Sequence, residues 1–356
     1  MMDLLYSDVE NELRGSVRGL LEARSPWTAV LERTESAEPY DTKLWRTLAA
    51  EVGGAGLAVP EELGGAGASC RETAVVLEEL GRAVAPVPFL GSAVLATAAL
   101  LHAGDTELIG PLADGSRTAA LAVPFSTPPG GPLPSISVSD GALTGEVLGV
   151  ADALPADMLL VQADGGLYAV EAADVRRAPV TSLDMTRQLC DVSFESTPAR
   201  LVASGDAAVQ AALTAGAALL ASEQLGLAER CLEITVDYLK TRHQFGRPVG
   251  SFQGLKHRLA DLWVAITQAR AVARYAAACV AADDPDAPVA VAVAQAHCSP
   301  VAVRAAEECV QMHGGIGFTW EHPAHLYLKR AKSTSIALGT ADRHRAALAG
   351  LVDLPS

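Results

Sequence analysis

Four long stretches rich in alanine and leucine fill the last part of this sequence, and they restrict its fold more than any other feature. Apolar residues recur with a helical period over 206–241, 252–282, 286–313 and 321–349. Because several faces of these helices are apolar, the helices must pack against one another or against another chain. The sequence therefore predicts a helical C-terminal domain at residues 205–356.

The first third of the chain also has helical periodicity. The runs DVENELRGSVRGLLEA and CRETAVVLEELGRAVA place apolar residues at i, i+3, i+4 and i+7. Between them, the glycines and the proline of GGAGLAVPEELGGAG (53–67) exclude a regular helix. This pattern predicts a helical N-terminal domain at residues 1–115 with a buried, close-packed crossing at 53–67.

The middle of the chain has a shorter pattern. From about residue 117, β-prone runs such as TAALAVPF and DMLLVQADGGLYAVEA alternate with Gly, Pro, Asp and Ser. The segment STPPGGPLPS (126–135) is typical of a loop. We therefore expect a small antiparallel β-domain at residues 116–204, and a fold that is mainly α with this one small β-domain.

Composition excludes several classes of function. The net charge of −15 argues against sequence-independent nucleic-acid binding, which requires clustered Lys and Arg over phosphates. No uninterrupted apolar run reaches the roughly 18–20 residues of a membrane span. The N-terminal segment MMDLLYSDVENELRG lacks the basic region and apolar core of a secretory signal, so a cytoplasmic location is expected.

Cysteine and histidine spacing does not indicate a metal site. The six cysteines form no CxxC pair, so we expect reduced core thiols and neither a zinc site nor a disulfide framework. His322 and His325 have i, i+3 spacing without accompanying acids in a ligand pattern. We therefore expect these two, together with His313 and His344, to be hydrogen-bonded or solvated imidazoles.

Two motifs in the last third of the chain carry groups that suit a dinucleotide. The segment RHQFGRPVGSFQG (242–254) joins two helices and offers the guanidinium of Arg242, the ring of Phe245 and the amide of Gln253. About 70 residues later, QMHGGIGF (311–318) contains glycines that let backbone N–H groups approach a ligand. From the first segment alone, a plain helical hairpin with an Arg cap and a core Phe is an equal alternative.

Taken together, the motifs resemble those of the acyl-CoA dehydrogenase family. The family pattern R-x-x-F-G-x-P, F-Q, L-A-D, Q-x-x-G-G-x-G and E-G-T is matched at Arg242, Phe245, Gly246, Pro248, Phe252, Gln253, Leu259-Ala260-Asp261, Gln311, Gly314, Gly315, Gly317, Gly339 and Thr340. The segment GLAVPEELGGAG (56–67) is similar to the family's V-P-E-x-x-G-G-x-G crossing. The resemblance implies a helical N-domain, a β-domain, a C-terminal four-helix bundle, and FAD bound at a subunit interface.

The resemblance also implies which residues contact the cofactor. In the family, the Arg, the amide after it and the Q-x-x-G-G turn reach the FAD of the neighbouring subunit. This implies a cofactor-binding role for the motif residues Arg242, Phe245, Gln253, Gln311, Gly314 and Gly315, with Thr340 from the Gly-Thr pair as a further candidate.

The proton acceptor of the family is missing from this sequence. Family members oxidise an acyl-CoA thioester, with a carboxylate removing the α-proton while the flavin accepts hydride from the β-carbon. The usual carboxylate is the Glu of E-G-T, which is Leu338 here. An alternative position on the helix before the R-x-x-F-G turn is Gly216. We therefore expect no catalytic base in this chain.

The segments that would hold a flavin within this chain also depart from the family. The T-E-P-x-x-G-S-D segment falls near 123–131, where only a proline and glycines remain. The W-I-T-N strand corresponds to 149–152, so the indole behind the ring and the hydroxyl near it are missing. We expect the chain's own flavin pocket to be disabled.

These features resemble the Glu-lacking subunit of actinobacterial α2β2 acyl-CoA dehydrogenases, including those that act on steroid side chains. The hypothesis is that a homologous subunit supplies the Glu and the FAD pocket for an acyl-CoA substrate. One alternative is a self-sufficient homo-oligomer with a relocated base, for which Glu223, Asp342 and Glu321 are candidates. Another is a non-catalytic relic that binds acyl-CoA or protein without flavin.

Several other side chains carry simpler expectations. Trp320 and Tyr327 are expected in the core, and Lys329, Arg330 and Lys332 on a solvated helix face. The run 343–345 (Arg-His-Arg) follows the Gly-Thr pair and is a weaker candidate for contact with an FAD phosphate.

Overall fold

The computed structural model describes residues 3–353, so the outermost residues of the two predicted terminal domains lie outside it. The N-terminal region is helical, with α1 (Asp8–Arg24), α2 (Trp27–Thr34), α3 (Thr42–Val52), α4 (Cys70–Ala83), a π-helical segment (Phe89–Ala96) that continues into α5 (Thr97–Ala103), and α6 (Thr106–Ala113). Ser7 and Ser69 begin α1 and α4 with capping boxes that satisfy the first free N–H groups.

The glycine-rich crossing at 53–67 is close-packed, as predicted, but only its first part is buried. Residues 54–57 and 59 are buried, whereas residues 61, 62, 64, 66 and 67 are exposed. The crossing consists of two 3₁₀ turns, Gly54–Gly56 and Glu61–Leu63. A Cβ on Gly56 would lie 2.6 Å from the carbonyl oxygen of Ala113, and one on Gly65 would overlap the carbonyl oxygen of Val59. Only glycine allows the backbone to approach this closely.

The β-region contains eight strands: β1 (Ala119–Leu121), β2 (Ser137–Ser139), β3 (Ala142–Ala151), β4 (Met158–Ala163), β5 (Gly166–Glu171), β6 (Arg176–Val180), β7 (Leu189–Pro198) and β8 (Arg200–Ser204). They form two four-stranded sheets, ordered β1-β4-β5-β8 and β2-β3-β7-β6. The strand pairs of these two sheets are antiparallel, as expected for this region, except that β1 pairs with β4 in parallel.

The strand β4 shows why a second sheet is needed. All six of its residues are buried, because Leu160 packs into the main helical core while Leu159 and Val161 pack into the core between the two sheets. A strand buried on both faces reads as a continuous apolar run. The alternation that marks a half-exposed sheet is therefore absent from its sequence.

The C-terminal region contains α7 (Ala207–Thr241), α8 (Gln253–Ala281), α9 (Ala287–His313), α10 (Ala324–Thr334) and α11 (Ala341–Leu351). A small hairpin, β9 (His243–Gln244) and β10 (Arg247–Pro248), joins α7 to α8. The fourth predicted helix, 321–349, is in fact two helices. Leu338 and Gly339 have φ values of 50° and 102°, which interrupt the helix.

The helices α4 and α7 cross in direct backbone contact. A Cβ on Gly81 would overlap the carbonyl oxygen of Glu223, and a Cβ on Gly226 would overlap that of Glu78. This pair of glycines fixes α7 against the N-terminal region.

Two helices, α7 and the stretch Ala287–Phe318 that contains α9, are long and apolar enough by composition to cross a membrane. Their most apolar windows are 89% and 61% buried within the protein. These stretches form the interior of the helical region.

Candidate functional site

The two positions where the sequence lacks a carboxylate meet in space. A Cβ on Gly216 of α7 would lie 3.1 Å from Cδ1 of Leu338 and would overlap Cδ2 of Leu95. Leu338 is fully buried. In the acyl-CoA dehydrogenase family, which this sequence resembles, the catalytic carboxylate occupies one of these two positions. Here leucine side chains fill the space between them.

Three contacts hold Leu338 in this position. Its N–H donates to the carbonyl of Phe125 at 2.7 Å, and its carbonyl oxygen lies 2.9 Å from Nε2 of His344. A Cβ on the next residue, Gly339, would come within 2.8 Å of Cβ of Pro128. The loop at 126–131 therefore packs directly on the turn that carries Leu338.

The two segments that depart from the family's flavin motifs are adjacent. The N–H of Phe125 donates to the carbonyl of Gly149 at 3.0 Å. A few residues on, the buried carboxylate of Asp152 accepts hydrogen bonds from the N–H of Gly91 (2.9 Å) and the hydroxyl of Tyr40 (3.1 Å). Backbone contacts and this buried network occupy the region, and the residues present do not fit a flavin ring. We call Leu95, Phe125, Gly216 and Leu338 the closed region.

A buried charge cluster lies beside the closed region. The carboxylate of Glu223 accepts from Arg187 at 2.6 Å and from Arg330 at 2.9 Å. Arg330 also pairs with Asp184 at 2.8 Å, and the guanidinium of Arg187 stands over the Phe125 ring at 5.7 Å. All four charged side chains are buried.

The cluster prevents Glu223 from acting as a base. Burial raises the pKa of Glu223, but the charges of Arg187 and Arg330 more than offset this effect, so the pKa falls from 4.5 to about 2. A carboxylate held by two guanidiniums and lacking contact with solvent has no access to a substrate proton.

Arg330 corrects the expectation of a solvated helix face, because it is among the largest fully buried side chains of the protein. Sequence reasoning also missed Asp184 and Arg187. Their segment, LDMTRQL, shows no spacing that relates them to Glu223, and only the fold brings them together.

The other two candidate bases lie on the surface. Asp342 is exposed and accepts a hydrogen bond from Arg345 at 2.6 Å. Glu321 is also exposed, in the turn before α10. Neither acid lines the space between Gly216 and Leu338.

A groove of about 770 Å³ is lined on one side by the loop at 128–131. The first residues of α7 and α9 and one face of α11 form its other walls, and Arg343 is its one basic side chain apart from His344, within the described part of the chain. His344 is buried against the Leu338 carbonyl. This contact helps to hold Leu338 in the closed region.

Six predicted cofactor-binding residues lie together at the opposite end of α7 and are exposed: Arg242, Phe245, Gln253, Gln311, Gly314 and Gly315. The ring of Tyr238, one turn before Arg242, stacks on His313 at 4.4 Å, which joins the two motifs. We call these six residues the exposed turn surface. Thr340 is not part of it, because its hydroxyl caps α11 by accepting from the N–H of Arg343 at 3.3 Å.

Aromatic side chains stand out of this end of the molecule. Phe245 is 91% exposed with φ 52°, so the alternative in which it is a core residue was wrong. Phe318 is 74% and Trp320 is 54% exposed, and the expectation of a buried Trp320 was also wrong. Tyr327 is buried as expected, with its hydroxyl donating to the carbonyl of Arg82 at 2.9 Å.

The exposed turn surface and the closed region are far apart. Gly216 lies near the start of α7 and Arg242 directly follows its last residue, so they are separated by about 39 Å along the helix axis at 1.5 Å per residue. The two sets of residues in one copy of this chain therefore cannot contact one dinucleotide together.

Two family models match the chain. The one described as "Acyl-CoA dehydrogenase, N-terminal domain" matches residues 7–109, and "Acyl-CoA dehydrogenase, C-terminal domain" matches residues 203–351. Among curated relatives, the acyl-CoA dehydrogenase IpdE2 of Mycobacterium tuberculosis is 40% identical over 91% of this chain and 91% of its own length.

Solved structures of similar proteins include two complexes. A chain of the ChsE4-ChsE5 complex from Mycobacterium tuberculosis is 31% identical, with a TM-score of 0.89 and 100% of both chains covered. A chain of the Tcur3481-Tcur3483 steroid ACAD is 30% identical, with a TM-score of 0.87 over 97% of this chain and 98% of its own.

Proposed function

Because this chain belongs to the acyl-CoA dehydrogenase family, we propose that it is the base-lacking subunit of a heteromeric acyl-CoA dehydrogenase and completes the FAD site of an unlike partner. Acyl-CoA dehydrogenases are FAD-dependent oxidoreductases. The observation that carries the proposal is the placement of the two halves of a family site at opposite ends of α7, one filled and the other exposed.

The closed region supports the proposal that this chain provides no catalytic base. A general base must come within hydrogen-bond reach of the proton that it removes. In the closed region, the side chains of Leu95 and Leu338 occupy the space where such a base would lie. The nearby carboxylate of Glu223 is held in ion pairs with two arginines. The partner must then supply the carboxylate.

The exposed half supports a contribution across an interface. A guanidinium such as that of Arg242 can form charge-assisted hydrogen bonds with phosphate oxygens. The amides of Gln253 and Gln311 and the backbone of Gly314 and Gly315 add donors for a polar ligand. Here these groups would bind and orient a cofactor seated in the partner.

When bound, FAD supplies the hydride acceptor of the α,β-desaturation, and this chain's own residues only position it. The exposed rings of Phe245 and Phe318 would exclude water from the interface. An acyl-CoA bound to the partner is the expected substrate.

Two related structures support an unlike pair. The ChsE4-ChsE5 complex and the Tcur3481-Tcur3483 steroid ACAD each combine two differently named chains. By analogy with the steroid ACAD, we propose a bulky lipid or steroid acyl group as the substrate class.

The competing proposal is a homo-oligomer with a relocated base. It requires a carboxylate beside the closed region, but Glu223 is locked in its ion pairs, and Asp342 and Glu321 are on the surface. The structure thus favours the heteromeric reading.

Co-expression with a homologous subunit that carries the E-G-T motif tests the proposal. We expect a complex that contains one FAD per pair of chains, and a colourless, inactive product when this chain is purified alone. A yellow, active preparation of this chain by itself would overturn the proposal, as would one FAD for each chain of the complex.

A further inference from the structure

We propose that an apolar groove beside the exposed turn surface is the docking site for a segment of the partner subunit in which an apolar side chain is flanked by carboxylates. This inference rests on the proposed function, because it takes the unlike partner as its occupant. It concerns residues outside the cofactor-binding set.

The groove lies between the last turns of α7 and the first turns of α8 and measures about 470 Å³. Its walls are the side chains of Val236, Leu239, Pro248 and Leu259. Leu239 is buried, whereas the other three are half-buried. Packing of an aliphatic side chain against these walls would remove apolar surface from water on both partners.

The floor of the groove is a close backbone contact. A Cβ on Gly250 would lie 2.9 Å from the carbonyl oxygen of Leu239, and the N–H of Val249 donates to the carbonyl of Arg242 at 2.7 Å. These contacts hold the turn against the end of α7, so the groove is preformed and needs no rearrangement to accept a side chain.

The rim of the groove is basic. Lys240 on α7 and Lys256 on α8 are its charged lining residues within the described chain, and both are exposed. Lys240 has a weak ion pair with Asp237 at 3.8 Å between two exposed side chains, and no carboxylate of residues 3–353 is within ion-pair distance of Lys256. On a chain with a net charge of −15, this local positive potential selects an acidic partner segment.

The position of the groove indicates that its occupant belongs to the same partner subunit that Arg242 would contact. The groove and the exposed turn surface share one structural unit, because Lys240 precedes Arg242 by two residues and Lys256 follows Gln253 by three. A partner that engages Arg242 therefore faces the groove as well.

Charge reversal at the rim tests the inference in the co-expressed complex with the E-G-T subunit. We expect K240E/K256E to weaken assembly at least tenfold at low salt, measured by light scattering of a dilution series, and to remove most of the salt dependence of the wild-type complex. The matched control is R24E/K43E, which changes the net charge equally at two exposed positions on α1 and α3 and should assemble like the wild type.

A photo-crosslinking residue at Leu259 identifies the occupant. We expect its crosslinked peptide to come from the partner and to contain Asp or Glu beside an aliphatic residue. A peptide from a second copy of this chain, or equal assembly of K240E/K256E and the control, would overturn the docking proposal. Neither result affects the flavin count per pair, so failure of the groove is distinguishable from failure of the proposed function.

Discussion

The two ends of α7 have opposite surroundings although they belong to one helix. Around Gly216, the side chains of Leu95 and Leu338 fill the space in which a further side chain would lie, and a buried charge cluster is nearby. Around Arg242, polar groups and aromatic rings point into solvent and make few contacts with the rest of the chain. In the proposed function, the first region serves stability and the second contacts a partner.

This division predicts that substitutions at the two ends affect different measurements. Changes in the closed region should alter the free energy of unfolding of the isolated chain. Changes at the exposed turn surface should alter the complex and leave the isolated chain unaffected.

The largest effect is expected for Arg330→Met. Loss of this guanidinium leaves Glu223 and Asp184 as buried carboxylates with too few partners, which should cost about 3–5 kcal/mol of unfolding free energy. Urea denaturation of the isolated chain measures it. Lys332→Met, on the same helix but exposed, is the control and should change stability by less than about 1 kcal/mol. Similar values for both variants would show that the cluster is not structural.

A pH dependence of stability follows from the same cluster. The pKa of Glu223 is lower in the folded chain than in the unfolded chain, so its contribution is complete above pH 4.5 and is lost as the pH falls towards about 2. The difference in unfolding free energy between the wild type and Glu223→Gln should therefore shrink by about 3 kcal/mol between pH 5 and pH 2. A constant difference over this range would contradict the ion pairs described here.

Arg242→Ala tests the other end of α7. Removal of a charge-assisted contact to a phosphate should weaken retention of FAD by the complex by about 1.5–3 kcal/mol, or roughly 10–150-fold. Because Arg242 is exposed, unfolding of the isolated chain should change by no more than about 0.5 kcal/mol. Flavin release on dilution, followed by fluorescence, measures the first effect, with Arg24→Ala as the control. Unchanged flavin occupancy would remove the assigned phosphate contact.

The smallest effect is expected for Gly216→Ala, where the sign of the change in unfolding free energy is the test. Gly→Ala inside a helix ordinarily stabilises by about 0.8–1 kcal/mol. At Gly216 the new methyl group would meet Leu95 and Leu338, so we expect a net destabilisation of about 1 kcal/mol from overpacking. The control Gly254→Ala has no atom within 4 Å of the new methyl group and should stabilise. Stabilisation at Gly216 would mean that the closed region has room for a side chain.

Much of the architecture could be predicted because periodicity is a local property. The helical regions, the glycine crossing at 53–67 and the loop at 126–135 follow from spacing and turn residues. The break at Leu338 and Gly339 was missed because a leucine at positive φ contradicts its own propensity and is held there by Phe125 and His344.

The site was only partly predictable, for a related reason. The motif spacing marked Arg242 and Gln311, which are exposed and whose proposed contact with a cofactor requires no partner residue within this chain. Burial of Arg330, by contrast, depends on Asp184 and Glu223, which are distant in sequence and carry no signature of their pairing. Long-range ion pairs of this kind are set by tertiary packing, and a single sequence does not encode them in any local pattern.

The exposure of Phe245, Phe318 and Trp320 has a consequence for how the protein must be produced. Large aromatic rings in water favour non-specific association when their intended surface is missing. Under the proposed heteromeric assembly, copies of this chain made in excess of the partner would leave these rings exposed and would self-associate. Under the proposed assembly, co-expression of this chain with its partner should therefore give a higher soluble yield than expression of this chain alone.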